Sequence, residues 1–310
     1  MRVLVTGGAG YIGGVLCERL LAAGHRVVAL DNLLYAQNGP FHLAANPCFD
    51  FVRGDAREPE LMRRLVAHAD VLVPLAALVG APACDRDPWL AREVNLEAIR
   101  LLNKLRSPQQ LVIYPTTNSG YGTKSGELYC TEDTPLEPIS LYGRLKVEAE
   151  MELLGSPNAI TLRLATVFGP SSRMRLDLLV NHFVHLAVTQ GYVVIFEKDF
   201  KRNYVHINDV ADCFAFAIER CRDMAGRAFN LGLDSANLSK QELAELVQRF
   251  VPRFHVQYSE IGSDPDKRNY IVSSERLRQA GFQARRSLED GIQELLKAYR
   301  MMGLGDFRNA

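Results

Sequence analysis

The sequence predicts an α/β fold built on a doubly wound parallel sheet with helices on both faces. From the start to about residue 167, short runs rich in β-branched residues alternate with amphipathic stretches of helical period. This alternation is typical of βαβ units. A glycine-rich turn follows the first run and an acidic residue ends the second, which indicates a ligand site at the carboxyl ends of the strands.

Six segments are predicted as strands because they are short, apolar and bounded by turn residues. They span residues 3–6, 26–30, 49–53, 70–75, 110–116 and 159–165. The helix after the first strand places Ile12 and Leu16 on one face, and Gly24 ends it. Right-handed crossovers between successive strands then give a sheet of the Rossmann type.

The alternation becomes irregular after Gly169 and Pro170. Polar and aromatic residues mix over residues 170–206, and a helix is predicted at about 208–221. Residues 1–167 are therefore predicted as the sheet domain, with a strand and a helix returning to it from about 200–231. Residues 168–310 are predicted as a smaller mixed region that packs against the carboxyl edge of the sheet and covers a cleft.

The charge and composition exclude several classes of partner. The 310 residues include 36 basic and 36 acidic side chains, so no net field favours nucleic acid or an anionic membrane. No segment approaches the ~20 apolar residues of a membrane span, and the N-terminus begins with a strand instead of a signal peptide. The six cysteines form no CxxC pair and are expected as reduced core thiols, which favours the cytoplasm.

The run TGGAGYIG at residues 6–13 opens the first helix directly after the first strand. Gly7 and Gly10 lack the side chains that would keep the backbone away from a pyrophosphate, and Gly13 lets helix and strand pack closely. Free N–H groups at the helix N-terminus then face the phosphates. The same run is also compatible with a tight turn that binds nothing.

Asp31 ends the second strand, at the place where a carboxylate meets the ribose hydroxyls of a bound dinucleotide. An anion at this place repels the 2′-phosphate of NADP. The order of strand, glycine turn, helix, strand and acid therefore predicts NAD as the cofactor. A role of Asp31 as a loop cap is the alternative.

Tyr142 and Lys146 stand at i and i+4 in a predicted helix, so both side chains project from one face. A phenol of pKa ~10 is a poor base at pH 7, and a neighbouring ammonium favours the phenolate. An ordinary solvated helix face has the same spacing. Here, however, the fifth strand brings Thr117 to the same edge of the sheet. Thr117 is predicted to bind the substrate hydroxyl and Tyr142 to take its proton, while NAD takes the hydride.

These motifs resemble those of the extended short-chain dehydrogenases that act on nucleotide sugars, over nearly the whole chain. Further matching residues are Asp55-Ala56, Leu75-Ala76-Ala77, Arg163 and Phe168-Gly169-Pro170. More narrowly, residues 74–82, 114–121, 163–169, 173–181 and 263–268 are similar to bacterial GDP-heptose 4-dehydrogenases of capsule-sugar pathways. The resemblance implies an NAD-binding domain at 1–167, a mainly substrate-binding region at 168–310, tightly held NAD and a homodimer.

The resemblance also assigns residues to the cofactor. Tyr11 and Ile12 are expected under the pyrophosphate, and Lys146 is expected to hold the nicotinamide ribose as well. The other cofactor residues that it implies are Asn32, Asp55, Ala56, Leu75, Ala76, Ala77 and Asn95. The helix after Trp89 and the helix that contains Tyr142 form a four-helix contact in dimers of this family.

On the substrate side, Arg202 falls where the family places an arginine that binds the diphosphate, a role that suits a planar guanidinium. Sugar 4,6-dehydratases carry an Asp-Glu pair after the threonine. This chain has Asn118 and Ser119, which cannot act as general acids near neutral pH. Thr166 replaces an asparagine that is common before Phe-Gly-Pro in epimerases. The other residues expected at the substrate are Asn181 and Arg268.

The function that the resemblance implies is oxidation of the C4 hydroxyl of a nucleotide-diphosphate sugar, above all GDP-D-glycero-D-manno-heptose, to the 4-keto sugar. A 4-epimerase and a 4-ketosugar reductase use the same three residues and stay open as alternatives. A non-catalytic regulator that senses NAD is a more distant one, because such relatives usually lose the Tyr/Lys pair. His182 and His185 share a helix face, but no third ligand stands at suitable spacing, so no metal is expected.

Overall fold

The computed structural model describes residues 1–35, 39–123, 129–260 and 269–302. The strands are β1 Arg2–Thr6, β2 Arg26–Asp31, β3 Phe49–Arg53, β4 Val71–Pro74, β5 Leu111–Thr117, β6 Tyr129–Cys130, β7 Ala159–Leu164, β8 Thr166–Phe168, β9 Tyr192–Phe196, β10 Lys201–His206, β11 Arg227–Leu231, β12 Asn237–Ser239, β13 His255–Ser259 and β14 Ile271–Val272.

The helices are α1 Tyr11–Ala22, α2 Pro59–Val66, α3 Ala81–Arg86, α4 Pro88–Arg92, α5 Ala98–Leu105, α6 Leu141–Leu154, α7 Leu179–Thr189, α8 Ile207–Glu219, α9 Cys221–Met224, α10 Lys240–Phe250, α11 Glu275–Gln279 and α12 Leu288–Met301. A π-helical segment, Glu93–Glu97, joins α4 to α5. Short 3-10 turns lie at Phe41–Leu43 and Asn118–Tyr121.

The main sheet consists, within the described ranges, of seven parallel strands in the order β11-β7-β5-β4-β1-β2-β3. Val5 of β1 pairs with Ala29 of β2 on one side and with Val73 of β4 on the other. The strand order changes direction between β1 and β4, which is the switch point where ligands bind in doubly wound sheets. The predicted fold is confirmed, and each of the six predicted strands begins and ends within one residue of its predicted bounds.

Helices cover both faces of this sheet. On one face α1 packs against α8, and Leu16 and Phe214 are completely buried between the helices and the strands. On the other face α2, α5 and α6 bury Met62, Leu102 and Leu145 against β4 and β5. Burial of these apolar side chains fixes the carboxyl edge of the sheet, which carries the candidate site.

The chain beyond residue 168 is mixed, as predicted. Helix α8 and strand β11 return to the main sheet. Strand β10 differs, because it pairs with β8 and β12 in a separate three-stranded sheet. Helices α7, α10 and α12 enclose a second core that includes Phe183, Leu243 and Ile292.

All six cysteines are free. The four buried thiols are those of Cys17, Cys84, Cys130 and Cys213, whereas Cys48 is exposed. Core thiols were therefore predicted correctly for four of the cysteines, whereas Cys48 is exposed and Cys221 is half-buried. In the part of the chain that the structure describes, no helix has both the length and the apolar character that crossing a bilayer requires.

Candidate active site

A cleft of about 390 Å³ opens at the carboxyl ends of β1, β2, β4 and β5. It brings together most of the residues that the sequence predicted for cofactor and chemistry. Those that line the cleft are Gly7, Gly10, Tyr11, Ile12, Gly13, Asp31, Asn32, Asp55, Ala56, Leu75, Ala76, Ala77, Thr117, Tyr142, Lys146 and Thr166. The predicted dinucleotide motif and the predicted catalytic group therefore share one cavity.

The glycine turn forms the floor of the cleft at the N-terminus of α1. Gly7 has φ +72°, and a Cβ atom there would lie 2.6 Å from the backbone nitrogen of Ala76. A Cβ atom on Gly13 would overlap the carbonyl oxygen of Gly7. Gly10 caps α1 without a side-chain hydrogen bond. The first N–H groups of α1 therefore remain available to bind the phosphates of a dinucleotide. Because the glycines lack side chains, the phosphates can approach these groups closely.

Asp31 is held rigidly at the end of β2. Its Oδ2 atom accepts a hydrogen bond from the backbone N–H of Ala9 at 3.0 Å, and its Oδ1 atom accepts one from the N–H of Leu33 at 2.8 Å. These bonds fix the carboxylate between the glycine turn and the loop after β2, on the cleft surface. The geometry fits a carboxylate that accepts from the ribose hydroxyls of NAD, and Asp31 also braces the loop.

Replacing Asp31 by Asn is expected to weaken NAD binding about tenfold, because a hydrogen bond to a charged acceptor contributes about 1.5–3 kcal/mol. The affinity for NADP should rise relative to the affinity for NAD, because the anion that repels the 2′-phosphate is gone. Calorimetric titration of both dinucleotides measures this. Asp50→Asn, an exposed carboxylate on the neighbouring strand β3, is the control and should change neither affinity. Equal binding of NAD and NADP by the unaltered protein would contradict the assignment.

The adenosine end of the cleft carries a second fixed carboxylate. Asp55 accepts hydrogen bonds from Nε of Arg57 at 2.9 Å and from Nη2 at 2.8 Å, and Asn32 donates a third from Nδ2 at 3.2 Å. The Arg57 bonds are the largest cause that lowers the pKa of Asp55 to about 2. Asp55 is therefore an ion-paired anion at neutral pH, and Asn32 and Arg57 are its partners in the cleft wall.

The reactive end of the cleft is built on α6 and the end of β5. Ser140 caps α6 by accepting a hydrogen bond from the N–H of Gly143 at 3.1 Å, which fixes the first turn that carries Tyr142. Thr117 donates its hydroxyl proton to Oγ of Ser119 at 2.9 Å and accepts from the N–H of Ser119 at 3.1 Å. Ser119 thus orients the Thr117 hydroxyl from behind the cleft.

Lys146 lies one helical turn after Tyr142 and is only 4% exposed. Its Nζ atom lies 3.9 Å from the centroid of the Tyr114 ring, which forms a cation–π contact. Burial is the largest influence on Lys146 and lowers its pKa to about 7, whereas the carboxylate of Glu150 acts in the opposite direction. Glu150 is held in turn by two hydrogen bonds from Arg163, of 2.9 Å from Nε and 2.6 Å from Nη2. The charge on Lys146 is therefore sensitive to pH near neutrality.

Two predicted asparagines lie behind the cleft wall. Asn95 sits in the π-helical segment and bonds both backbone groups of Leu78, accepting from its N–H at 2.8 Å and donating to its carbonyl at 2.9 Å. Asn181 is fully buried, and its amide bonds the N–H of Gly169 and the hydroxyl of Tyr11. Neither lines the cleft. Their amides hold wall residues in place, whereas we expected direct contact with the cofactor and the substrate.

Of the other residues predicted at the substrate, Thr166 lines the cleft, whereas Asn118, Ser119 and Arg202 do not. Asn118 is 1% exposed and Ser119 3% exposed, and neither contributes to the cleft surface, because the 3-10 turn directs them into the protein. Arg202 is buried in β10, at a position that pairs with Leu238 of β12, and it does not line the cleft either. Arg268 lies outside the described residues.

Several cleft residues were missed. They are Leu34 and Tyr35 after β2, Arg57 after β3, Arg173 and Arg175 after β8, and Tyr270 before β14. Tyr270 is the residue of the C-terminal third that lines the cleft within the described ranges. Arg173 and Arg175 lie in a stretch that the sequence singled out only by resemblance. Within the described ranges no group of three or more His, Cys, Asp and Glu side chains is arranged to hold a metal ion.

Comparison with known sequences agrees with this site. The profile of the NAD dependent epimerase/dehydratase family matches residues 3–232. A UDP-glucose 4-epimerase of Mycolicibacterium smegmatis is 31% identical over 319 residues, which cover 97% of this chain and 99% of that protein. A dTDP-glucose 4,6-dehydratase of Streptomyces griseus is 31% identical over 310 residues, which cover 94% of this chain and 92% of the relative.

Solved structures show the same architecture. The UDP-glucose 4-epimerase of Thermus thermophilus, whose crystal structure is a complex with NAD, superposes with a TM-score of 0.82. The two chains are 25% identical, and the match covers 97% of this chain and 99% of the other. The glycine turn and the fixed Asp31 carboxylate fit NAD as the cofactor here. By its sequence, its fold and this cleft, the chain belongs to the NAD dependent epimerase/dehydratase family.

Proposed function

We propose that this protein oxidises the C4 hydroxyl of a nucleotide-diphosphate sugar, with GDP-D-glycero-D-manno-heptose as the favoured substrate. The observation that carries the proposal is that Thr117, Tyr142 and Lys146 line the same cleft as the glycine turn and Asp31. A hydroxyl that can hydrogen-bond the substrate, a phenol and a buried cation next to a dinucleotide site are the groups that oxidation of an alcohol needs.

Some residues of the chain bind the substrate, and others transfer its proton. Bound NAD supplies the hydride acceptor. The Thr117 hydroxyl, oriented by Ser119, hydrogen-bonds the sugar hydroxyl at C4. Tyr142 takes the hydroxyl proton as the C4–H bond breaks, so the carbon becomes a ketone and its hydride leaves with two electrons. Lys146 favours the phenolate of Tyr142 while it is charged.

The residues after Thr117 argue against elimination of water. Elimination across C5 and C6 needs a general acid and a general base in addition to the hydride transfer. Asn118 and Ser119 supply neither, and their side chains are buried behind the cleft. The proposed product is therefore the 4-keto sugar, although one relative is a dehydratase. The choice of GDP-heptose rests on the narrower resemblance of the substrate-side stretches. Contacts of Thr166 and Arg268 with the substrate are part of the same proposal.

A 4-epimerase is the second candidate, because a UDP-glucose 4-epimerase is 31% identical over nearly the whole chain. An epimerase uses the same three residues but returns the hydride to the opposite face of the turned keto sugar. A 4-ketosugar reductase runs the first half-reaction backwards. The three reactions differ in product and in their need for an external electron acceptor.

Incubation of the purified protein with GDP-, UDP- and dTDP-sugars, with and without an external keto acid, separates them. The proposal expects a 4-keto GDP-heptose in the NMR spectrum, in amounts that exceed the enzyme only when an acceptor is present. Quantitative formation of a C4 epimer without an acceptor would establish the epimerase instead. Turnover of UDP-glucose but of no GDP-sugar would overturn the substrate.

We also propose a homodimer through the outer surface of α4, α5 and α6. Trp89 in α4 and Met151 in α6 are 68% and 69% exposed, although both are large apolar side chains. Arg100 of α5 forms ion pairs with Glu148 at 2.8 Å and Glu152 at 3.4 Å, which tie α5 to α6. Exposed apolar residues on a continuous helical surface favour association. Light scattering of the full chain measures the mass, and a monomer would contradict this proposal.

A further inference from the structure

The segment between β8 and α7, residues 169–178, crosses the glycine turn. Ser171 donates a hydrogen bond from Oγ to the backbone carbonyl of Tyr11 at 2.7 Å, and the Tyr11 hydroxyl donates to the carbonyl of Gly169 at 2.7 Å. A Cβ atom on Gly14 would lie 3.0 Å from Oγ of Ser172. We call residues 169–178 the crossing segment. It is attached directly to the N-terminus of α1, where the phosphates of NAD are expected.

The crossing segment brings two arginines to the cleft. Arg175 lies toward the reactive end and forms an ion pair with Asp177, whose Oδ1 atom is 3.1 Å from its Nε atom. Arg173 is only 4% exposed, and its Cζ atom lies 4.3 Å from the centroid of the Tyr35 ring. Tyr35 follows β2, a few residues beyond Asp31. Because Arg173 contacts Tyr35, it lies at the end of the cleft where the adenosine of NAD is expected.

The surroundings of Arg173 favour an anionic ligand. Burial is the largest cause that lowers the pKa of Arg173, and the neighbouring cation of Arg175 adds to it, whereas Tyr35, Asp177 and Asp31 act in the opposite direction. Arginine stays protonated at any physiological pH, so the site carries a buried cation. A cation removed from water is stabilised by an anion with good hydrogen-bond geometry. The pyrophosphate of a dinucleotide is such an anion, and the glycine turn next to the crossing segment is built to receive it.

We propose that Arg173, whose guanidinium lies over the Tyr35 ring, binds the pyrophosphate of NAD next to the glycine turn. The planar guanidinium can donate two parallel hydrogen bonds to phosphate oxygens, and the contact with Tyr35 limits its movement. Its place beside Tyr35 and near Asp31 points to NAD and not to the diphosphate of the sugar nucleotide. NAD is thereby held between the sheet domain and the crossing segment, and we expect it to be released slowly.

Titration of nucleotide-free protein with NAD, without any sugar, tests this inference separately from the proposed reaction. Arg173→Ala is expected to raise the Kd for NAD and for ADP-ribose by about tenfold to a hundredfold. Arg173→Lys should recover part of the loss, because it keeps the charge but not the planar fork. Tyr35→Phe should bind like the unaltered protein, whereas Tyr35→Ala should lose part of the affinity.

Adenosine, which has no phosphate, is the decisive probe. Its affinity should be the same for Arg173→Ala and the unaltered protein, because the lost bond is to the pyrophosphate. Arg227→Ala is the matched control, since this arginine also stacks on a ring, with Cζ 5.2 Å from the centroid of Phe229, but lies away from the cleft. An equal loss for adenosine would show a structural role only. Unchanged NAD binding with weaker binding of the sugar nucleotide would assign Arg173 to the substrate, and either result would overturn the inference.

Discussion

Replacing Tyr142 by Phe is expected to lower the turnover of the nucleotide sugar by about a thousandfold, while NAD stays bound. Proton transfer by a positioned side chain contributes about 10²–10⁴-fold to a rate, and Phe removes the hydroxyl while it keeps the ring. Tyr142 lines the cleft near the start of α6, and its ring packs against the core on that face of the sheet. Steady-state turnover and NAD titration of the same preparation measure the two effects.

Tyr192→Phe is the control for this substitution, because Tyr192 is 55% exposed on β9, away from the cleft. It should keep full turnover. The comparison also decides between an enzyme and a regulator that senses NAD. A sensor would keep its biological effect in Tyr142→Phe, whereas an enzyme would lose it together with turnover. Unchanged turnover in Tyr142→Phe would remove Tyr142 from the mechanism.

Replacing Lys146 by Met is expected to abolish turnover and yet to stabilise the protein in the absence of NAD. The folded state lowers the pKa of Lys146 to about 7 from an ordinary value of 10.5. Between these values the unfolded chain binds a proton that the folded protein does not, so the contribution of Lys146 to stability improves as pH rises. Below pH 7 both states are charged, and burial of the cation costs at most about 5 kcal/mol, at 1.36 kcal/mol for each pKa unit.

Denaturant unfolding at a series of pH values measures this effect. The stability difference between Lys146→Met and the unaltered protein should be largest below pH 7 and should vanish near pH 10.5. Lys104→Met, at an exposed position of α5, should show no such difference. A variant that is less stable than the unaltered protein at pH 6 would mean that the folded state favours the Lys146 cation, contrary to the burial argument.

The sequence predicted the fold well because the main sheet depends on local patterns. Short runs rich in β-branched residues, such as Val71–Pro74, are predicted as buried strands when amphipathic helices separate them. The parallel order of the strands then follows from the crossovers between them. The glycine turn and Asp31 were also predictable, because their spacing along the chain is fixed by one βαβ unit. Tyr142 and Lys146 share a helix face by spacing alone.

What the sequence did not predict depends on contacts between distant segments. An asparagine has the same donors and acceptor wherever it lies, and only the packing of Asn181 against Gly169 and Tyr11 shows that its amide is occupied. Arg173 and Tyr35 are far apart in sequence, so no spacing indicates their stacking. The lowered pKa of Lys146 likewise follows from burial, which a helical pattern does not reveal.

The central claim is that hydride leaves C4 of a nucleotide sugar for NAD within the cleft that holds Thr117, Tyr142 and Lys146. GDP-D-glycero-D-manno-heptose carrying deuterium at C4 tests it most directly, in a single turnover with the NAD-loaded protein. Mass spectrometry of the released NADH should show one deuterium, and the keto sugar should have lost it. NADH without deuterium, or deuterium retained on the sugar while NADH forms, would contradict the claim.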